Sequence, residues 1–169
     1  SGNASVVVAD LEPAREPIRA AQAEWAARVR EAARDAGERV ESLLASGSGR
    51  TMLDLARAVA ASTSGPLVLG ASNPVRAFDL AVPALEGRVV HSNRGQAGID
   101  GTIATAVGIA LGSGYAGEAS ARPGGRVTAV VGDLTACHDA SSLTLVSSLG
   151  VNLDIVVADD QGGGIFATL

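Results

Sequence analysis

The strongest constraint on the fold is a regular alternation of short apolar runs with helical segments. The apolar runs are strand-length and cover residues 66–72, 87–93, 125–133 and 152–159, and helical patterns cover 52–62, 74–85, 98–114 and 139–150. Strands that are almost wholly apolar and are separated by single helices are typical of parallel sheets buried on both faces. The sequence therefore predicts an α/β fold, a parallel sheet with helices on both faces.

The N-terminal part of the chain has a different pattern. Residues 4–10 predict a lone strand, and residues 12–45 are polar, Ala-rich and helical in period. The stretch SGSG at 46–49 is typical of a flexible boundary. We therefore predict two parts, a strand with a helical connector in 1–48 and the α/β domain in 49–169.

The composition excludes several classes of protein. Hydrophobic residues make up 47% of the chain, charged residues 18%, and the net charge is −5. These values exclude a disordered chain and argue against binding to nucleic acid, which requires a basic surface. Cys137 is the single cysteine, so neither an internal disulfide framework nor a cysteine-based zinc site can form, and we predict a cytoplasmic protein. No apolar run reaches the ~18 residues of a membrane span.

Two of the predicted strands end in aspartate, one at Asp133 and the other at Asp159-Asp160. The carboxyl ends of parallel strands share one edge, where ligands of open α/β sheets bind. One helix and one strand lie between the two stretches, so the strands could be neighbours. Carboxylate oxygens suit Mg²⁺, which also binds phosphates. The paired arrangement predicts a metal–diphosphate site, whereas an isolated Asp would more simply cap a helix or solvate a loop.

The residues that follow each strand add to this prediction. "GDLT" (132–135) would place backbone amides and the Thr135 hydroxyl at a helix start, where anions bind. "DDQGGG" (159–164) would supply a carbonyl and a flexible loop over the same point.

The stretch from Gly132 to Asp160 resembles the thiamine diphosphate-binding motif, whose usual form is Gly-Asp-Gly followed by Asn-Asn. Leu134 stands for the second glycine, and Asp159-Asp160 stands for the asparagine pair. Together with "SNRGQAGIDG" (92–101) and "GGGIF" (162–166), it resembles the 2-succinyl-5-enolpyruvyl-6-hydroxy-3-cyclohexene-1-carboxylate synthases of menaquinone biosynthesis. The resemblance runs from about residue 51 to 169. It implies the end of a middle domain and a connector in 1–48, then a diphosphate-binding domain in 49–169 that is C-terminally incomplete.

The resemblance also implies a set of cofactor contacts. Asp133, Asp160 and the Gly162 carbonyl would hold Mg²⁺, or Mn²⁺ in its place. Ile99 would prop thiamine diphosphate in its bent conformation, although from the residues alone it is a hydrophobe at a helix start. The other implied cofactor-binding residues are Ala97 and Gly98, whose backbone would bind the aminopyrimidine, and Gly132, Leu134, Thr135, Ile165 and Phe166. Leu169 would wall the same pocket.

Two arginines are the candidates for substrate recognition. Arg94 follows a predicted strand, and Ser72 and Arg76 stand at the start of a predicted helix on the ligand edge. The family's substrates, 2-oxoglutarate and isochorismate, carry several carboxylates, which arginine binds in bidentate fashion. The resemblance thus assigns catalytic roles to Arg76, Arg94, Ser72 and Ile99. For an arbitrary arginine, a solvated surface position is the simpler interpretation.

The implied activity is that of a transferase, a carboligase that decarboxylates 2-oxoglutarate and adds the succinyl unit to isochorismate. A pyrimidine-binding domain of a second subunit would complete the site in a homodimer or homotetramer, and this chain alone would be inactive. Two alternatives stay open: another thiamine diphosphate-dependent 2-oxoacid decarboxylase or synthase, and a non-catalytic nucleotide-binding α/β module.

Two other motifs carry less weight. "GSGYAG" (112–117) matches GxGxxG but follows a helix rather than a strand, which indicates a helix C-cap and loop. "CHD" (137–139) has triad-like residue types, but consecutive residues rarely converge, so we expect His138 at a helix start or pocket edge.

Overall fold

The computed structural model describes residues 20–47, 51–85, 87–93, 98–115 and 125–165. The chain divides into two compact units, residues 1–36 and 37–169. The first unit is described only as part of helix α1, Ala20–Ser46, in which the Trp25 side chain is exposed. The predicted strand at 4–10 lies outside the described residues. Across the described ranges, no helix is both long enough and apolar enough to cross a membrane.

The second unit is built around a sheet of four strands. These are β1, Leu67–Leu69; β2, Val90–His91; β3, Val127–Gly132; and β4, Leu153–Ala158. Their order is β2-β1-β3-β4, and every neighbouring pair is parallel. The predicted parallel sheet is confirmed.

The helices that precede and connect the strands depart from the predicted bounds in three places. They are α2, Met52–Ser62; α3, Asn73–Ala81; α4, Thr102–Gly112; α5, Asp133–His138; and α6, Leu143–Ser148. A 3₁₀ turn, Ala140–Ser142, joins α5 to α6. The helix predicted at 139–150 is present over 140–148 as the 3₁₀ turn and α6, but it is shorter than predicted. A separate short helix, α5, precedes it from Asp133, and the chain bends at Asp139, whose side chain accepts hydrogen bonds from the start of α4.

The other two departures are helix ends that fall short of the predicted ones. Helix α3 stops at Ala81 instead of residue 85, since Pro83 disfavours helical geometry at Val82, which is extended. Helix α4 starts at Thr102 instead of residue 98, since Gly101 has a φ of 65° and interrupts helical geometry. Helix α4 ends at Gly112, so the start of "GSGYAG" is a helix C-terminus, as predicted.

Two apolar cores cover the two faces of the sheet, because successive side chains of a strand point to opposite faces. One core joins Val68, Val127 and Ala129 with Ala106, Val107 and Ala110 of α4. The other joins Leu67, Leu69 and Val130 with Ala56 and Val59 of α2 and with Ala77 and Phe78 of α3. Helices on both faces, as the sequence predicts, are confirmed.

Arg57 connects three helices within the second unit. Its Nε donates to the Ala81 carbonyl of α3 at 2.8 Å, and its Nη1 donates to Glu41 Oε2 of α1 at 2.8 Å. Its Nη2 donates to the other Glu41 oxygen. The hydrogen bond from Arg57 lowers the pKa of Glu41, and Glu41 in turn raises the pKa of Arg57. The last turns of α1 are thus fixed to the α2–α3 face.

Candidate functional site

Asp133 and Asp159 leave the sheet side by side. Strands β3 and β4 are paired in parallel, and the register matches Gly132 to Ala158. The next residue on each strand is an aspartate, so both carboxylates lie at the carboxyl edge. The prediction that these two strands are neighbours is confirmed, and this edge is the place where open α/β sheets bind their ligands.

A direct hydrogen bond joins the two acidic stretches. The Gly162 amide donates to Asp133 Oδ2 at 2.7 Å, and the Leu134 amide donates to Asp133 Oδ1 at 2.7 Å. Both carboxylate oxygens therefore have partners, and the loop after β4 folds back over the end of β3. The Leu134 amide, which the sequence assigned to an anion site, is engaged by the carboxylate next to it.

The loop after β4 has an unusual backbone. The Gln161 amide donates to Asp159 Oδ1 at 2.8 Å, which tightens the turn. Gln161, Gly162 and Gly163 have φ values of 65°, 94° and 83°. Glycine adopts such values without the steric cost that a Cβ brings, so the glycines let the loop return towards Asp133.

Gly164 leaves room for the side chain of Asp160. A Cβ placed on Gly164 would lie 2.6 Å from Asp160 Oδ2 and 2.8 Å from its Cγ, closer than real Cβ contacts. Asp160 is exposed, whereas Asp133 is half-buried. The backbone of the glycine loop thus sets where the Asp160 carboxylate can lie.

Thr135 is buried in the short helix α5, with 4% of its surface exposed, while Leu134 beside it is exposed. The position of Thr135 in the third residue of α5 agrees with the predicted start of a helix. Ile165, at the end of the described loop, is half-buried. Phe166 and Leu169 lie outside the described residues.

A cleft of about 560 Å³ lies beside the Asp159-Asp160 pair. Its lining comes from the start of α2 and the end of β4: Thr51, Met52, Asp54, Leu55, Ala58, Val157, Ala158, Asp159 and Asp160. Asp54 belongs to a capping box in which the Thr51 side chain and backbone donate to Asp54 Oδ2. These hydrogen bonds lower the pKa of Asp54, and the bond from the Thr51 side chain has the largest effect. The cleft therefore has an acidic wall.

The segment before α4 approaches α5 and the turn after it. Gly98 is exposed and Ile99 is half-buried, and the following Asp100 Oδ1 lies 3.1 Å from His138 Nε2. His138 occupies the last turn of α5, so the first of its two expected places, a helix start, is wrong, and the second, a pocket edge, stays a prediction. Ala97 lies outside the described residues.

Sequence reasoning missed the role of Asp139. Its Oδ2 accepts from the amides of Ile103 at 2.6 Å and Ala104 at 3.2 Å, at the start of α4. The signal was available: α4 follows a glycine that has no side chain to cap it, so a capping oxygen has to come from elsewhere. His138 and Asp139 face different partners, as expected for consecutive residues that do not form a catalytic pair.

The candidate substrate residues lie at the next strand along the edge. Ser72 follows β1 and is the residue before α3, and Arg76 is an exposed residue in the first turns of that helix. Among the residues that the structure describes, no hydrogen bond or ion pair holds the Arg76 guanidinium. Arg94 lies outside the described residues.

The described ranges contain no group of three or more His, Cys, Asp or Glu side chains arranged to hold a metal. A site made of Asp133, Asp160 and a backbone carbonyl has only two such side chains. That pair lies on one edge of a parallel α/β domain of the kind found in thiamine diphosphate-binding proteins.

Comparison with known proteins shows which of them resemble this chain in sequence. No family model matches the chain. The chain is 42% identical over 173 residues to a 2-succinyl-5-enolpyruvyl-6-hydroxy-3-cyclohexene-1-carboxylate synthase of Mycolicibacterium vanbaalenii, which covers 100% of this chain and 30% of the relative. A synthase of the same name from Nocardioides sp. is 44% identical over 153 residues, 86% of this chain and 27% of the relative. One from Mycobacteroides abscessus is 50% identical over 105 residues, 61% of this chain and 18% of the relative.

The chain belongs to the family of these synthases. The whole chain aligns with the synthase of Mycolicibacterium vanbaalenii but spans only about 30% of the length of that relative.

Proposed function

We propose that this chain forms the metal- and diphosphate-binding half of the active site of a 2-succinyl-5-enolpyruvyl-6-hydroxy-3-cyclohexene-1-carboxylate synthase. The whole protein would act in the cytoplasm, in menaquinone biosynthesis. It would decarboxylate 2-oxoglutarate and join the succinyl unit to isochorismate. The observation that carries the proposal is the hydrogen bond between the Gly162 amide and Asp133, because it brings together the two stretches that resemble the cofactor-binding motif.

The chemistry of the residues at the carboxyl edge fits Mg²⁺. Asp133 and Asp160 offer carboxylate oxygens, and Gly162 adds a backbone carbonyl, all of them hard ligands that suit this ion. Asp160 in place of the usual asparagine adds one negative charge, which a divalent cation tolerates. The Leu134 and Gly162 amides donate to the two oxygens of Asp133, so the carboxylate is held near the loop that would share the ion.

The same edge offers contacts for thiamine diphosphate. Gly132, Leu134, Thr135, Ile165 and Phe166 would surround the diphosphate end, and Ala97, Gly98 and Ile99 would support the aminopyrimidine end. When bound, thiamine diphosphate supplies a nucleophilic carbon that can attack a 2-oxoacid. The work of this chain is to hold the cofactor: to neutralise its phosphates through the metal and to exclude water with apolar side chains.

The substrate carboxylates would be bound by arginines from the neighbouring strand ends. Arg76 has an exposed guanidinium that no ion pair holds within the described ranges, so it is available to an anion. A bidentate pair between a guanidinium and a carboxylate gives both strength and orientation. Ser72, before the same helix, would add a hydroxyl, and Arg94 would act from the segment after β2.

We further propose that the rest of the active site comes from other domains. Residues 1–48 would be the end of a middle domain and its connector, and residues 49–169 the diphosphate-binding domain. Thiamine enzymes use a glutamate to activate the aminopyrimidine, and every glutamate in the described ranges lies in α1, namely Glu24, Glu31, Glu38 and Glu41. The activating residue would belong to the pyrimidine-binding domain of a second subunit, in a homodimer or homotetramer.

Calorimetry on the 169-residue chain tests the cofactor proposal. Thiamine diphosphate should bind weakly, and only when Mg²⁺ is present. Thiamine without its diphosphate is the matched control and should not bind. Binding that ignores Mg²⁺, or a preference for nucleotides over thiamine diphosphate, would contradict the proposal and favour a nucleotide-binding module.

A decarboxylation assay with 2-oxoglutarate, thiamine diphosphate and Mg²⁺ tests the division of the site. The 169-residue chain alone should show no turnover, because it lacks the activating acid. Adding the separately expressed N-terminal part of the protein should restore some turnover. Measurable activity of the chain by itself would show that the acid lies within these residues.

A further inference from the structure

Asp139 lies buried between two elements that leave the sheet at the same edge. Only 7% of its surface is exposed, yet it carries a carboxylate. Its Oδ2 accepts from the Ile103 and Ala104 amides of α4, and its Oδ1 accepts from the Ser142 hydroxyl at 2.6 Å. Both carboxylate oxygens are therefore used, which fixes the rotation of the side chain as well as its position.

Helix α4 depends on this contact because its own sequence provides no cap. The residue before the helix is Gly101, which has no side chain and a φ of 65°. The first amides of a helix have no partner within the helix, and a carboxylate near them also interacts favourably with the helix dipole. Asp139 thus does from a distance what a capping residue normally does locally.

A second contact joins the same two regions. Asp100 Oδ1 lies 3.1 Å from His138 Nε2, so the residues on both sides of Gly101 are tied to the end of α5. The segment at 98–101 carries Ile99, and α5 begins at Asp133. The two parts of the proposed cofactor site, the Ile99 segment and the start of α5, are therefore connected by two contacts. One is between Asp100 and His138, and the other is between Asp139 and the start of α4.

We propose that Asp139 is a positioning residue that sets the Ile99 segment at a fixed distance from Asp133, so that the aminopyrimidine and diphosphate ends of the cofactor are bound together. This inference rests on the proposed function. Asp139 touches neither the cofactor nor the metal in this proposal and acts through the start of α4.

The geometry explains why a carboxylate is buried here. A single capping interaction would need one oxygen, and an exposed cap at the start of α4 would suffice for helix stability. Here the second oxygen is held by Ser142, which lies in the turn that follows α5. The carboxylate therefore connects three segments, 100–104, α5 and the 3₁₀ turn, and its removal should loosen their spacing.

The test compares Asp139→Ala and Asp139→Asn in the full-length protein that contains this sequence. The affinity for thiamine diphosphate is measured by calorimetry at saturating Mg²⁺. Asp139→Ala should weaken binding about tenfold, the equivalent of one hydrogen bond to a charged group. Asp139→Asn should recover most of the affinity, because an asparagine oxygen also caps helices. Amide hydrogen exchange at Ile103 and Ala104 should accelerate in the alanine variant and stay slow in the asparagine variant.

Arg88→Ala is the matched control for a general loss of stability. It also removes several partly buried hydrogen bonds, but at the opposite edge of the sheet. It should lower the unfolding temperature and leave the affinity for thiamine diphosphate unchanged. If Asp139→Ala fails to fold, Ser142→Ala provides the test, since it frees the carboxylate to rotate and should weaken binding in the same direction.

The outcomes separate this inference from the proposed function. If the unmodified protein does not bind thiamine diphosphate, the proposed function fails and the inference fails with it. If it binds, and Asp139→Ala binds equally well although the Ile103 and Ala104 amides exchange faster, Asp139 is a structural cap only. The same conclusion follows if Arg88→Ala weakens binding as much as Asp139→Ala does.

Discussion

The two edges of the parallel sheet use opposite charges. At the amino edge, the Arg88 guanidinium donates to the Gly65 carbonyl at 2.8 and 2.9 Å and to the Thr63 hydroxyl at 2.8 Å. At the carboxyl edge, Asp133, Asp139 and Asp159 accept hydrogen bonds from backbone amides. A cationic side chain thus donates to a backbone carbonyl at the amino edge, whereas carboxylates accept from backbone amides at the carboxyl edge.

The direction of the helices contributes to this contrast. In a unit of strand, helix and parallel strand, each helix starts at the carboxyl edge and ends at the amino edge. Helix starts present free amides and helix ends present free carbonyls, so carboxylates are favoured at the first and cations at the second. The amino edge is closed by Arg88, whose burial lowers its pKa. The carboxyl edge keeps exposed carboxylates such as Asp160, which suits it to bind a ligand.

The largest expected effect is at Asp133. Asp133→Ala should abolish Mg²⁺-dependent binding of thiamine diphosphate in the full-length protein, because it removes the carboxylate that we propose links protein and phosphates through the ion. Calorimetry with and without Mg²⁺ measures the loss. Asp160→Asn is the matched variant and should be mild, since asparagine keeps an oxygen ligand. If Asp133→Ala binds thiamine diphosphate with unchanged affinity, the metal site does not lie at the carboxyl edge.

The next effect concerns the two candidate substrate-binding arginines. Arg76→Ala or Arg94→Ala should each lower kcat/KM about tenfold to a hundredfold, because each would remove the charge-assisted hydrogen bond to substrate that we propose for it. Steady-state kinetics with 2-oxoglutarate and isochorismate measures the fall, and the affinity for the cofactor should not change. Normal turnover in both variants would place the substrate pocket elsewhere.

The glycine loop should show a smaller effect. Gly164→Ala should displace Asp160 and weaken Mg²⁺-dependent cofactor binding about tenfold, as loss of support for a metal ligand commonly does. Gly108→Ala in α4 is the control, because a Cβ there meets nothing within 4 Å. If Gly164→Ala binds as tightly as Gly108→Ala, the position of Asp160 does not matter for the site.

At the amino edge the expected effect is on stability alone. Arg88→Ala should lower the free energy of unfolding by about 2 kcal/mol, because partly buried carbonyls lose their donors. Denaturant unfolding measures this change. The exposed pair Arg126–Asp154, also at this edge, is the comparison, and Asp154→Asn should cost less because surface ion pairs contribute little. A loss of cofactor affinity in Arg88→Ala would contradict the view that the amino edge serves stability and the carboxyl edge serves ligand binding.

The smallest effect is the pH dependence of the α2 cap. Hydrogen bonds from Thr51 lower the pKa of Asp54 in the folded protein. A lowered pKa means that the stabilisation is complete above the pKa of the unfolded state and is lost as the pH falls through the folded value. Thermal unfolding between about pH 6 and about pH 2 should therefore show a difference between the protein and Asp54→Asn that shrinks on acidification. A difference that grows in acid would contradict this assignment.

Much of the fold could be predicted from the sequence because the signal is local. Apolar runs of strand length that alternate with helices determine a parallel sheet, and the prediction that β3 and β4 are neighbours is confirmed. The ends of the helices were less predictable. Pro83 shortens α3 through its effect on Val82, but the break at Asp139 depends on amides from α4 that are distant in sequence. The roles of the site residues stay predictions.

By itself, the sequence determined the α/β class, the side of the sheet on which Asp133 and Asp159 emerge, and the family. These follow from periodicity and from the rule that parallel strands share a carboxyl edge. Only the tertiary structure decided that the Gly162 amide binds Asp133 and that Asp139 caps α4. The physical reason is that the backbone amides of different residues are chemically alike, so the sequence does not mark which of them will donate to a carboxylate. The amide that donates to a given carboxylate depends on the path of the loops. Residues with positive φ, such as those at 161–163, shape this path, and it becomes known only from the tertiary structure.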